Sequence, residues 1–225
     1  MRARLVAGAV LVGVIVAAGV ARASLPPPGF GRSVDIGLVS GTVIVTPPAG
    51  RAFVLGTNDR NVPLGSLIDT THGRVDLRAA PPPASAGARA SAARVEDAQF
   101  YDGAFRVTQS ANSPVAQIRL AGGNTKTCPA VPAAVEGDGL APRRAPPHKA
   151  VRLLWASGSG TFRTVGRYSA ATVLGTQWLT EDFCDGTLVR VTRGVVVVEN
   201  LATHATVTVR AGHSVFTRAA AAARP

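Results

Sequence analysis

Residues 155–198 constrain the fold of this chain more than any other stretch. They hold both tryptophans, Cys184, an Asp185-Gly186 turn and the densest run of β-branched residues. After Gly186, Val189 and Val191 share one face, with Arg190 on the other and Arg193 near it. A two-residue period of this kind marks a half-buried strand. Residues 195–198, four valines, read as a buried continuation of it. A β-core is expected here, and no amphipathic helix of ordinary length is found elsewhere.

The rest of the chain follows the same rule. Residues 41–46, 52–55, 74–78, 98–101, 105–108, 116–120, 205–210 and 214–217 are short β-rich runs separated by Pro, Gly and Asp-Gly signals. Residues 62–65, Val-Pro-Leu-Gly, read as a tight turn. A glycine turn followed by an alternating strand recurs at His72-Gly73, Asp102-Gly103 and Asp185-Gly186. Its irregular spacing supports a solenoid or roll only weakly, and a β-sandwich stays open.

Two segments, 80–95 and 129–150, consist mainly of Ala, Pro, Ser, Gly and Arg. They are too poor in large apolar residues to pack, and are expected to be flexible insertions. The expected organisation is therefore a Pro-rich lead-in over residues 24–33, one β domain over 34–218 carrying these insertions, and a frayed tail over 219–225.

Residues 1–23 combine two early arginines, an unbroken apolar run over 5–20 and the small-x-small step Ala21-Arg22-Ala23. This is the pattern of a secretory signal, with cleavage expected between Ala23 and Ser24. The alternative is an uncleaved membrane anchor, although the apolar run is shorter than the roughly 20 residues that span a bilayer. Both readings place residue 24 onward outside the cytoplasm, secreted or in the cell envelope. There Cys128 and Cys184 read as a disulfide, since no Cys-x-x-Cys or close His pair suggests zinc.

The formal net charge is +11, and setting aside Arg2, Arg4 and Arg22 leaves +8. Such an excess favours polyanionic neighbours, yet only Arg143 and Arg144 are adjacent among the arginines. Without a basic run interleaved with aromatics, no specific nucleic-acid partner is expected.

Candidate chemistry is sparse. Glu181, Asp182 and Asp185 lie close together around Cys184, but their spacing only partly resembles a calcium loop, and a polar hairpin tip is the simpler reading. His72, His148, His204 and His213 are scattered; His72, Asp69 and any serine could compose a nucleophile-base set, but nothing fixes it, and surface histidine is the default reading. The glycines of Gly158-Ser159-Gly160 precede a strand, so a helix-terminal phosphate cradle is missing. Trp155, Trp178, Tyr101 and Tyr168 could line a carbohydrate face, but apolar strand patterns place both tryptophans in the core. No catalytic residue, cofactor or metal is expected, and the chain reads as non-enzymatic.

Three strings carry a resemblance: S-A-A-T-V-L-G-T-Q-W-L-T at 169–180, D-G-T-L-V-R-V-T-R-G-V-V-V at 185–197 and V-T-V-R-A-G-H-S-V at 207–215. With G-T-V-I-V-T-P-P at 41–48 and residues 62–77, they are similar to the extracytoplasmic FecR-type domain. Gly175, Thr176, Trp178, Asp185, Gly186, Gly194, Ala211 and Gly212 are the matching positions. The resemblance implies an all-β, β-solenoid-like or β-roll module outside the membrane. The family's membrane regulators act on a sigma factor through a cytoplasmic segment, but only four residues precede the apolar run here, so that role is not expected. What remains is an interaction module for an envelope protein or anionic polymer. The alternatives are a sensor working through a separate membrane partner, or a structural envelope protein. Any contact of the chain with the membrane itself is expected only through the uncleaved N-terminal segment.

Overall fold

The computed structural model describes residues 27–81, 96–110, 113, 115–128, 140–142 and 149–219. The signal segment with Ala23 and Ser24, and most of both insertions, lie outside the described residues. The described chain is nearly all β, and twelve strands of its fourteen-stranded sheet curl into a nearly closed, barrel-like form. Its strands are β1 (Ser33–Thr46), β2 (Phe53–Val54), β3 (Arg60–Pro63), β4 (Leu67–Ala79), β5 (Glu96–Tyr101), β6 (Ala104–Gln109) and β7 (Ala116–Ala121). They continue as β8 (Leu140–Pro142), β9 (Arg152–Val165), β10 (Ser169–Asp182), β11 (Gly186–Arg193), β12 (Val195–Asn200), β13 (Thr206–Arg210) and β14 (Ser214–Arg218).

The architecture is a meander of long, creased strands. β5 and β6 run one after the other along the same edge of β4, with Arg74 opposite Tyr101 and Leu67 opposite Arg106. In the same way β11 and β12 share one edge of β10, and β13 and β14 continue along β12 and β11. β9 pairs with β10 along nearly its whole length, and with β5 and then β7 on its other edge. The β7–β9 pairing is parallel, whereas the other pairings are antiparallel. Pairings from β4 through β5, β9, β7 and β6 return to β4, closing a small ring. Phe100, Phe105 and Phe162 are fully buried, with Phe100 ring centroids 5.0 and 5.9 Å from the other two. These spacings suit tilted and edge-on aromatic packing.

Glycines set the creases. Gly175, Gly194 and Gly212 interrupt three neighbouring strand paths, with φ of 71°, 77° and 82°. The Ala211 amide donates to the Gly194 carbonyl at 3.0 Å, and the Thr176 hydroxyl donates to the Arg193 carbonyl. A Cβ on Gly194 would lie 2.8 Å from the Gly175 oxygen, so both its positive φ and its close approach require glycine.

Several sequence expectations change at these creases. Gly73 makes no turn; it lies inside β4 opposite Gly41. Asp102-Gly103 is a bend in the continuous β5–β6 path, with Asp102 at φ 62° and Thr70 donating to the Gly103 carbonyl. Residues 195–198 are half-buried, since Val196 and Val198 are inside while Val195 and Val197 face out. Within the second insertion β8 pairs with β14. Ala219, placed in the tail, is buried and donates its amide to the Asp185 carbonyl.

The Cys128–Cys184 disulfide is present, joining the residue after the 3-10 turn Thr125–Thr127 to the β10–β11 turn across 56 positions. It is consistent with an extracytoplasmic location, where oxidising conditions keep such bonds. Constraining a loop of this length contributes about 4 kcal/mol in the chain-entropy model. A Cys128→Ser/Cys184→Ser chain is therefore expected to unfold at markedly lower denaturant than the oxidised protein. A shift worth less than about 1 kcal/mol would show that the bond adds little to folding stability.

Candidate functional site

The outer face of β6, β7 and β9 carries a strip of arginine. Arg106 lies opposite Arg119, and Gln117 lies opposite Arg163 on the next strand. Inward positions of β7 are apolar, Ile118 and Leu120, so alternation turns Gln117 and Arg119 outward. Beside the strip opens a groove of about 410 Å³, lined by Arg119, Arg163, Gln117, Thr172 and the apolar Val115 and Leu201.

The cations of the groove and of the strip beside it differ. Arg163 donates to the Glu199 carboxylate at 2.7 Å and reaches Thr172 at 3.5 Å. Arg106 donates to the Gly65 carbonyl at 2.9 Å. Arg119 is exposed and has no carboxylate partner among the described residues. Glu199 also bonds the His204 ring at 2.8 Å. The His204 and Arg163 hydrogen bonds hold the Glu199 carboxyl below its ordinary pKa, against the opposing effect of burial. Glu199 is thus committed to neighbours on both sides, which leaves Arg119 to face a ligand. The arrangement suits an anionic group lying over a short aliphatic floor.

A second outward feature crosses the sheet. Arg74, Tyr101 and Trp155 are successive partners on β4, β5 and β9, and the row ends on β10 at Leu179, which is buried. The Arg74 guanidinium stands 3.9 Å from the Tyr101 ring centre. Tyr101 and Trp155 stack 6.0 Å apart at an interplanar angle of 4°. Gln177 donates to the Tyr101 hydroxyl at 3.0 Å. Trp155 is therefore a half-buried surface residue and not the core residue its apolar context suggested, because its strand position turns it outward. Trp178, one residue out of phase on β10, is fully buried.

Apart from Trp178, which is in the core, the motif positions separate into two groups. Gly175, Thr176, Gly194, Ala211 and Gly212 meet at the crease. Asp185 and Gly186 form the β10–β11 turn, where the Phe183 amide donates to the Gly186 carbonyl at 2.8 Å. The acidic positions of this loop do not converge on a ligand. Asp182 points inward and is held by Arg152, while Glu181 faces Arg190 at 4.0 Å. Burial raises the Glu181 pKa, with Arg190 opposing. No group of three His, Cys, Asp or Glu able to hold a metal occurs among the described residues.

His72 lies in β4, His204 and His213 lie in turns, and His148 is outside the described residues. Gly158 is a strand residue that allows β9 to approach Ala98 on β5. Arg106, Arg119 and Arg163 were not singled out by sequence. Their alternation with buried apolar residues signals only that each faces outward; the cross-strand register is what makes them neighbours.

No family model, curated protein or solved structure matches the chain. The class defined by its own geometry is a nearly all-β, barrel-like protein with an arginine-lined outer groove.

Proposed function

We propose that this chain is a non-enzymatic module of the cell envelope or extracellular space that binds an anionic polymer through the Arg119–Arg163 groove. Arg119 carries the reading: it is an exposed cation on β7, beside Arg106 and Arg163, with no carboxylate partner among the described residues. The +11 formal charge of the chain would draw a polyanion toward any face, and the groove supplies a place for specific contact. The creased meander is read as the roll of a FecR-type module, in keeping with the resemblance of residues 169–215. The Cys128–Cys184 bond fits a life outside the cytoplasm.

Residues 24–225, disulfide intact, are to be applied to immobilised polyphosphate and to alginate, which carries carboxylates. Retention is measured at low and at high salt. Arg119→Gln is expected to weaken retention roughly fivefold, the equivalent of about 1 kcal/mol for one partly screened charge-assisted contact. Arg51→Gln, a change at another exposed arginine, serves as the charge-matched control. Equal losses for the two variants would reduce the interaction to unspecific attraction and remove the groove from the account.

A further inference from the structure

At the end of the meander one edge of β13 is unpaired among the described residues. β8 covers β14, with Leu140 opposite Thr217 and Pro142 opposite Val215. β13 pairs with β12 alone among the described residues. The five residues of β13, Thr-Val-Thr-Val-Arg, contain no proline, lysine or bulge, three devices that keep a free edge from pairing, and their one charge, Arg210, stands at the end of the strand. Alternation is clean: Val209 is buried, Val207 packs on the core, and Thr206, Thr208 and Arg210 are exposed.

A cavity of about 240 Å³ lies against this edge, lined by Val207, Val209 and Val215 with Thr208, Arg210 and His213. For scale, an apolar cavity of about 150 Å³ holds benzene, so a leucine or phenylalanine side chain fits here. A free edge beside a side-chain pocket is the recognition geometry of an added strand: backbone bonds give affinity, and the pocket selects alternate side chains.

We propose that β13 accepts an extended segment of a second protein whose residues alternate between apolar and acidic. The apolar side chain enters the valine-lined cavity. Its neighbours turn to the other face of β13, that of Thr206, Thr208 and Arg210; Arg210, which also lines the cavity, is exposed without an ion pair among the described residues. Charge selects this occupant over a second copy of the chain, which would bring its own Arg210 and a net charge of +11 against an equally basic surface.

The probe is the capped peptide Glu-Val-Glu-Leu-Glu-Val-Glu, compared with a peptide of the same composition in which the four glutamates are contiguous. Titration is followed by calorimetry, and amide hydrogen exchange reports where binding occurs. The alternating peptide is expected to bind at least tenfold more tightly than the block peptide and to slow exchange within residues 206–210. Arg210→Glu is expected to lose at least tenfold in affinity while retaining polyphosphate binding in the groove. Equal binding of the two peptides overturns the proposal, as does protection elsewhere in the sheet. Protection, without peptide, of the β13 amides that face away from β12 also overturns it: a rise with protein concentration would assign the edge to a second copy, and independence of concentration to the chain itself.

Discussion

Replacing Trp178 by alanine is expected to lower the unfolding free energy by about 3–5 kcal/mol, the range for truncating a large aromatic in a close-packed core. Trp178 is fully buried, and its indole N–H donates to the Thr164 hydroxyl at 3.0 Å. Thr164 in turn bonds Thr180 at 3.0 Å, and both threonines are fully buried. The indole therefore fills volume and closes a short polar chain inside an apolar layer. Thr164 keeps Thr180 as a partner after truncation, so the cavity dominates the loss. Trp178→Phe, which restores much of the volume without the donor, is expected to cost about half as much or less. Trp155→Ala, on the outer face, is expected to cost about 1–2 kcal/mol because water reaches the site it vacates. Guanidinium unfolding of the three variants gives the order, provided the slope stays constant. A Trp155→Ala loss equal to that of Trp178→Ala would contradict the assignment of the two rings to opposite faces.

Local pattern made the strands legible, but it did not reveal the path they follow. Val189 and Val191 are both fully buried, as their alternation with arginine predicts, and the Asp185-Gly186 turn joins β10 to β11. Glycine was harder to interpret, because the same residue permits a hairpin turn, a bulge and a close strand crossing. Gly73 and Gly194 are both of the latter kinds. Each owes its place to an atom on another strand, the Thr42 oxygen 2.6 Å from a Cβ on Gly73 and the Gly175 oxygen for Gly194. The two tryptophans show the same limit. One-residue differences in phase, together with the crease between strands, decide which of Trp155 and Trp178 is inside. The arginine strip depends on the parallel β7–β9 register, a pairing between segments more than forty residues apart that no short motif encodes.

The acidic loop gives the other large effect. Asp182→Ala is expected to destabilise the protein by about 3–5 kcal/mol, as when one partner of a buried ion pair is removed. The Asp182 side chain is 1% exposed. One carboxylate oxygen accepts from Arg152 Nε at 2.7 Å, and the other from the Arg167 amide at 2.8 Å and the Thr187 hydroxyl at 2.6 Å. These contacts tie the start of β9, the β9–β10 turn and β11 to the end of β10. Gly166 permits the arrangement, since a Cβ there would lie 2.6 Å from the same carboxylate. Alanine would leave Arg152, itself largely covered, without its counter-charge and two further donors without their acceptor. Asp182→Asn keeps the shape and one acceptor, but its amide turns a donor toward either Arg152 or Thr187, so about half the loss is expected to persist. A double-mutant cycle with Arg152→Ala separates the pair from the rest: a coupling of about 1–3 kcal/mol is expected between contacting groups. If the Asp182→Ala and Arg152→Ala losses add without coupling, the stabilisation comes from the Arg167 and Thr187 bonds. A negligible loss for Asp182→Ala itself would return this carboxylate to the exposed hairpin tip that its sequence setting suggests.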